Sequence, residues 1–233
     1  MKTELFTIVV AAGKGTRLGE EMNKAFVEIE GLPLVVHTLK ALAACSNCHA
    51  VALVVAAHEL SYAEKILKEH DELFAGLDIT IVAGGKERQD SVYNALLNVP
   101  EKCCYVAVHD AARPFFSPEL FNRVFAVTQE KTAAIAAIPA TDTVKLVRNC
   151  LVEVTLEREH IFLAQTPQIF LRTLLLKAYE DARKEQFVGT DDASIVEKFG
   201  ARVAIVEGEH SNIKITYKED LVRLKMLLEE GRL

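Results

Sequence analysis

Lys14, Arg17 and Lys24 fall within eleven residues of a chain whose formal net charge is -6. They surround the glycine turn of "AAGKGTRLG", Ala11 to Gly19, which directly follows an apolar run. Gly13 and Gly15 let the backbone turn tightly with its N–H groups pointing inward, a shape that cradles phosphate. Cations around such a turn neutralise a polyphosphate and the charge that develops on a phosphoryl group under attack. The turn is no dinucleotide fingerprint, since G-x-G-x-x-G requires glycine where Leu18 stands. Nor is it a P-loop, which requires glycine at Ile8 and Ser or Thr at Gly15. A solvated loop with ordinary surface lysines is the plainer alternative; nucleotide phosphate is the reading adopted.

Three further stretches carry comparable chemistry. In "AGGKERQDSV", Ala83 to Val92, Gly84 and Gly85 permit close approach of a flat base, with Arg88 and Ser91 as donors beside it. The bland reading is a tight left-handed turn followed by a capped helix. In "YVAVHDAARPFF", residues 105 to 116, Asp110 at a strand end could hold Mg²⁺ against a polyphosphate, and Arg113 could fork onto a phosphate. The competing reading makes Asp110 and Arg113 a salt bridge that merely closes the strand exit. In "SNIKIT", Ser211 to Thr216, Lys214 lies between two apolar residues of a strand-like segment, either facing a cleft or snorkelling at a sheet edge.

No G-x-S-x-G elbow, credible Cys-His pair or histidine metal spacing is present, so the chemistry on offer is electrostatic, with no nucleophile from the protein. "CSNC", Cys45 to Cys48, matches C-x-x-C but has no second ligand pair, and all five cysteines read as buried thiols of an intracellular chain.

These residues must be positioned by something. Continuous Val/Ile/Ala runs at 7–12, 49–56, 79–84, 105–110, 132–140 and 201–208 read as strands buried on both faces of a parallel sheet. Between them lie helical spacings such as Val35, Val36, Leu39 and Leu42. Ser117 followed by Pro118 and Glu119 marks one helix start, and Thr190 or Asp191 another, closing at Gly200. The alternation implies an α/β sandwich with a mostly parallel sheet and helices on both faces. Ligands of such sheets gather at the carboxyl ends of the strands, where Gly13, Gly84 and Asp110 fall. Residues 143–156 read instead as a hairpin turning at Arg148 and Asn149, a protruding arm on one domain spanning 1–233.

With 233 residues, 50% of them hydrophobic, the chain can build one sizeable core. Its acidic balance argues against a nucleic-acid or membrane-surface partner, and no stretch nears the ~20 apolar residues of a membrane helix. The first apolar run is short for a signal segment, so a cytoplasmic location is expected.

The ordered set "AAGKGTRLG" with Lys24, "AGGKERQDSV", "HDAARPF", "LAQTPQIF", "TDDAS" and "NIKIT" closely resembles the 2-C-methyl-D-erythritol 4-phosphate cytidylyltransferases of the non-mevalonate isoprenoid pathway. The resemblance covers nearly the whole chain. It implies a Rossmann-like nucleotidyltransferase sandwich and the Mg²⁺-dependent reaction of CTP with methylerythritol 4-phosphate, releasing pyrophosphate. The substrate's phosphate oxygen would attack the α-phosphorus in line, which accounts for the missing protein nucleophile. By motif, Ala11, Ala12, Gly13 and Gly15 would wrap the nucleotide. Arg17, Lys24 and Lys214 would face the reacting phosphates. Gly85, Arg88 and Ser91 would lie around cytosine, with Asp110 and Ala111 near ribose and metal. The family's homodimers project an arm into the neighbouring site; the hairpin, at about 140–160, followed by "EREHIF", matches it. Arg113 and Thr190 would then bind the polyol phosphate from one chain, Thr143 and a catalytic Arg158 from the other.

Two positions depart from the family pattern: Asn23-Lys24-Ala25 stands where Pro-Lys-Gln is frequent, and Lys86 where an acidic residue is. Ribitol 5-phosphate cytidylyltransferase shares the glycine turn, "HDA-RPF" and "QTPQ" and is the nearest rival; Ala112 and "TLEREHIFLAQTPQ" suit the isoprenoid enzyme better. A nucleotide-binding regulator without turnover would not require Lys24, Asp110 and Lys214 together.

Overall fold

The structure, a computed structural model, describes residues 4–13, 23–217 and 219–222. The chain begins with β1 (Glu4–Val10), passes the two-residue strands β2 (Glu28–Ile29) and β3 (Leu32–Pro33), and enters α1 (Leu34–Ala43). Alternation follows: β4 (Ala50–Val55), α2 (Leu60–Glu69), β5 (Asp78–Ala83), α3 (Arg88–Leu96), β6 (Cys103–Asp110), α4 (Pro118–Lys131) and β7 (Ala133–Pro139). The hairpin β8 (Lys145–Arg148) and β9 (Leu151–Thr155) leads into β10 (Phe162–Leu171), α5 (Arg172–Lys184), α6 (Asp192–Lys198) and β11 (Ala204–Glu207).

Seven strands form one sheet in the order β11-β7-β10-β6-β1-β4-β5. All neighbours are parallel except β10, which runs antiparallel to both β6 and β7. The six strands expected from apolar runs are present, the last trimmed to Ala204–Glu207. Their side chains alternate between two cores. Val9, Leu53 and Ala107 face Leu39 of α1, Ile66 of α2 and Phe121 of α4, whereas Ile8, Val54 and Val108 face Val92 of α3, Tyr179 of α5 and Val196 of α6. Helices therefore cover both faces, as a doubly apolar sheet requires.

The expected helix starts hold. Ser117 accepts from Leu120 N at 2.9 Å with Pro118 at the first helical position, and the cap of α6 is Asp191, accepting from Ser194 N at 2.9 Å.

Several expectations are corrected. A seventh strand, absent from the apolar runs, is β10, which contains "LAQTPQIF" and whose pairing with β7 shifts between Ala164 and Gln168. Lys214 lies on an unpaired segment rather than a strand, because Ile215 N bonds to the loop carbonyl of Ala112 at 2.8 Å instead of to a sheet edge. The hairpin turns at Asn149 and Cys150, whose φ values of 51° and 63° suit a two-residue turn matching strand twist. Cys45, Cys48 and Cys103 are buried, but Cys104 and Cys150 are exposed. Gly84 and Gly85 make no left-handed turn; a Cβ on Gly84 would meet Ala12 Cβ at 2.6 Å, so close packing excludes a side chain there. Among the described residues no helix is long and apolar enough to cross a membrane.

Candidate active site

β1, β4, β5 and β6 end at one level, with Val10 opposite both Val54 and Asp110, and Val55 opposite Ala83. The ladder continues past the strand ends through Ala11 N to Val54 O (2.7 Å), Ala111 N to Val10 O (3.1 Å) and Gly84 N to Val55 O (2.7 Å). This edge is where the strand order reverses between β1 and β6, the expected crevice of an open α/β sheet. A cleft of about 620 Å³ opens there, and it brings together Ala11, Ala12, Gly13, Lys24, Gly85, Arg88, Ser91, Asp110, Ala111 and Lys214. Lys14, Gly15 and Arg17 lie outside the described residues.

Ser91 Oγ accepts from Gly85 N at 3.0 Å and donates to Glu87 O at 3.1 Å, fixing the glycine loop onto the first turn of α3. Lys24 leads a single 3₁₀ turn, Lys24–Phe26, and its Nζ donates to Ile215 O at 3.4 Å. The segment carrying Lys214 is held from below. Arg113 Nη1 donates to Asn212 O at 2.7 Å, Gln165 Nε2 to Glu209 O at 2.8 Å, and Asn212 Nδ2 to Thr166 O at 2.8 Å.

Asp110 is the electrostatic centre. Lys214 Nζ lies 2.6 Å from its Oδ2, Arg88 Nη2 3.3 Å from its Oδ1, and Arg113 Nε 4.0 Å from Oδ2. Burial alone would raise the Asp110 pKa, but Arg88, Lys214 and Arg113 outweigh it and hold the carboxyl well below the usual carboxylate range. The Asp110–Arg113 ion pair of the plainer reading is present, but at 4.0 Å it is not hydrogen-bonded, and Lys214 at 2.6 Å and Arg88 at 3.3 Å lie closer to the carboxylate. Burial lowers the Arg113 pKa, with Asp110 opposing.

His109 is fully buried, its Nε2 2.9 Å from Arg113 O and its ring 4.4 Å from that of Phe116. Burial pushes its pKa down to about 4, so the ring is neutral at pH 7 and braces the loop from Asp110 to Arg113.

A second hollow of about 280 Å³ adjoins the cleft and is lined by Arg113, Thr190, Gln168 and Ala164. Arg88, Asp110 and Lys214 line both spaces and form the seam between them. Thr143 and Arg158 line neither; both are exposed on the arm, with Arg158 Nη1 donating to Thr141 O at 2.7 Å. A cavity of about 560 Å³ at the amino ends of the strands, by Leu5 and Asp78, is remote from this chemistry.

Residue types and spacing did not reveal what holds Arg88. Its Nη2 lies 2.8 Å from Oδ2 of Asp192, which has no solvent exposure and whose Oδ1 accepts from Tyr179 OH at 2.5 Å. Burial would lower the Arg88 pKa, but Asp192 and Asp110 raise it well above its ordinary value. Burial, reinforced by Asp192, likewise raises that of Tyr179. Asp192 was visible only as the second carboxylate of "TDDAS", where a helix cap suffices as explanation.

Among the described residues no group of three or more His, Cys, Asp or Glu side chains could hold a metal. Asp110, ionised and at the wall of the cleft, still suits Mg²⁺, which takes one or two carboxylates together with phosphate oxygens.

A profile of the family described as 2-C-methyl-D-erythritol 4-phosphate cytidylyltransferase matches residues 5–230. The protein of that name from Shouchella clausii is 42% identical over 227 residues, 97% of either chain. That from Dictyoglomus thermophilum is 41% identical over 231 residues, again 97% of each. Among solved structures, the 4-diphosphocytidyl-2C-methyl-D-erythritol synthase of Anaerococcus prevotii superposes with a TM-score of 0.87 at 28% identity, covering 98% of this chain and 97% of that one. The 2-C-methyl-D-erythritol 4-phosphate cytidylyltransferase of Thermus thermophilus gives 0.78 at 32% identity, covering 97% and 99%.

Proposed function

The chain belongs to the 2-C-methyl-D-erythritol 4-phosphate cytidylyltransferase family, and from that premise we propose how its residues divide the work. It is an enzyme that transfers the cytidylyl group of CTP to methylerythritol 4-phosphate. The ribitol phosphate reading therefore yields to the methylerythritol one. The observation that carries the division is the seam: Arg88, Asp110 and Lys214 line both the larger cleft and the smaller hollow, so two phosphate-bearing ligands can meet across them.

CTP occupies the cleft, its phosphates along Ala11 to Gly15 and its base against Gly85, Arg88 and Ser91, with Asp110 and Ala111 near the ribose. Methylerythritol 4-phosphate enters the hollow by Arg113 and Thr190. Its phosphate oxygen attacks the α-phosphorus of CTP; the new P–O bond forms as the bond to the β-phosphate oxygen breaks, and pyrophosphate leaves with that electron pair. Lys24, Lys214 and Arg17 stabilise the charge gathering at the phosphorus, the kind of fixed-cation effect that carries reactions lacking a protein nucleophile. Mg²⁺, when bound, would be held by Asp110 with nucleotide phosphate oxygens and would supply neutralising charge. With its ion pair to Lys214 at 2.6 Å, Asp110 keeps that ammonium at the seam before substrate arrives.

The arm supports a homodimer. β8 and β9 are exposed at every residue, including Leu146, Val147, Leu151, Val152 and Val154, and Phe162 and Leu163 extend the apolar surface. A two-stranded hairpin is marginal by itself, and an apolar one needs a covering surface. We assign that role to a second copy, with Thr143 and Arg158 delivered to the neighbour's site. The remaining chain is read as one domain, and five cysteines with no disulfide among them accord with a reducing, cytoplasmic setting.

Pyrophosphate release from CTP and methylerythritol 4-phosphate tests the division. Lys24→Ala is expected to lower kcat on the order of a hundredfold with modest change in the KM for CTP. Mixing inactive Lys24→Ala and Arg158→Ala chains should restore activity through hybrid dimers carrying one intact site; no recovery after verified subunit exchange removes the shared site.

A further inference from the structure

Lys24 stands on a single 3₁₀ turn, too short to hold its own orientation. Its direction must come from outside the turn. Phe26 anchors one side, 2% exposed and edge-on to Tyr62 at 5.1 Å. The other side is tied by Asn23. Its Nδ2 donates to Ala11 O at 2.5 Å and to Glu59 Oε2 at 2.8 Å, while its Oδ1 accepts from Ala25 N at 3.1 Å. Glu59 in turn accepts from Ala56 N at 3.2 Å, and its side chain is only 12% exposed. One carboxamide thus joins Ala11, where the glycine-rich turn begins, Ala25 in the 3₁₀ turn of Lys24, and Glu59 beyond β4.

The partners fix the orientation of the amide, because Ala25 N–H needs an acceptor while Ala11 O and the Glu59 carboxylate need donors. Both N–H donors are therefore committed to the protein, and none is left for a phosphate oxygen. Asn23 lines the cleft yet has nothing to offer an anion, which separates a positioning role from a binding one.

We infer that Asn23, clasped by Glu59, is a positioning residue that sets Lys24 against the nucleotide phosphates. The inference rests on Lys24 acting at the phosphorus, as proposed above. Its backbone supplies a discriminating variant: with φ -58° and ψ 129°, Asn23 already has a conformation open to proline. A ring at this position constrains the entry to the turn without any side-chain hydrogen bond.

Steady-state pyrophosphate release is measured for Lys24→Ala, Asn23→Ala, Asn23→Pro, Glu59→Ala and the Asn23→Ala/Glu59→Ala double variant, with folding checked by circular dichroism. Small misplacements of a catalytic group cost up to about a hundredfold, so Asn23→Ala should lower kcat roughly ten- to a hundredfold while the KM for CTP stays within about threefold. Asn23→Pro should recover a large part of that loss. Glu59→Ala should slow kcat by about three- to tenfold and add nothing further once Asn23 is Ala, as expected of two halves of one device. Normal kcat in Lys24→Ala would remove the parent reading. A slow Lys24→Ala with a normal Asn23→Ala, or fully multiplicative losses in the double variant, would overturn the clasp alone. So would Asn23→Pro as slow as Asn23→Ala. Should Asn23→Ala fail to fold, Glu59→Ala and Asn23→Pro decide: unchanged kcat in the first or inactivity in the second overturns the inference.

Discussion

Replacing Asp192 by Ala tests whether Arg88 is held by a buried charge or merely rests near one. Asp192 has no solvent exposure and accepts two hydrogen bonds, from Tyr179 OH at 2.5 Å and Arg88 Nη2 at 2.8 Å. Breaking a buried pair by removing one partner costs about 3–5 kcal/mol. The Arg88 side chain is 31% exposed and keeps Asp110 at 3.3 Å, so water and the second carboxylate offset part of that loss. The lower end, about 3 kcal/mol, is expected, and for a chain of this length it lowers Tm by roughly 6–12 °C. Asp192→Asn keeps shape and acceptor but loses charge, and should fall between Ala and wild type. Because Arg88 retains Asp110, catalysis should survive, with the KM for CTP rising about tenfold and kcat changing less. Calorimetry and pyrophosphate release on the same preparations supply both numbers. A Tm for Asp192→Ala within about 2 °C of wild type would refute the reasoning, since a desolvated carboxylate with two such partners cannot be energetically idle.

Two other expectations concern protonation. Burial pushes Cys48 up to about 11 and Cys45 higher still, so a thiol reagent on native protein should modify the exposed Cys104 while Cys45, Cys48 and Cys103 wait for unfolding; prompt labelling of Cys45 or Cys48 would count against the packing. His109, faced by Asp110, Arg113 and Lys214, has a folded pKa near 4 against 6.5 when unfolded, so its stability contribution is intact above pH 6.5 and lost as pH falls toward 4. Between pH 7 and 5 this removes about 2 kcal/mol, which urea unfolding of metal-free protein should show for wild type and not for His109→Gln. Parallel pH curves for the two proteins would contradict it.

Strands buried on both faces were legible because Val, Ile and Ala run on without polar interruption, and six of them are where those runs lie. β10 was not, because Gln165, Thr166, Pro167 and Gln168 interrupt it and proline argues against a central strand. The structure resolves the contradiction locally. Pairing with β7 breaks at those residues, Thr166 Oγ1 takes Asp110 N at 3.1 Å, and Gln165 holds the Glu209 carbonyl. The cationic and glycine residues of the cleft could be read from their own motifs. Asn23 with Glu59, and Arg88 with Asp192, could not: they meet across 36 and 104 positions, and nothing local marks an asparagine or a second aspartate as a tie.

The antiparallel course of β10 also has a mechanical meaning. Because β10 reverses direction beside β7, Phe162 lies opposite Pro139, and the chain between them leaves and re-enters at the carboxyl edge of β7, the edge that bears the cleft. A parallel strand in that place would have required a crossover returning to the far edge. The arm is thus the handle of a lever whose shaft is β10. Beside the cleft the shaft pairs with β6 from Gln168 to Leu171, and Thr166 Oγ1 accepts from Asp110 N, so the arm and the backbone that carries the catalytic carboxylate are joined through one continuous strand.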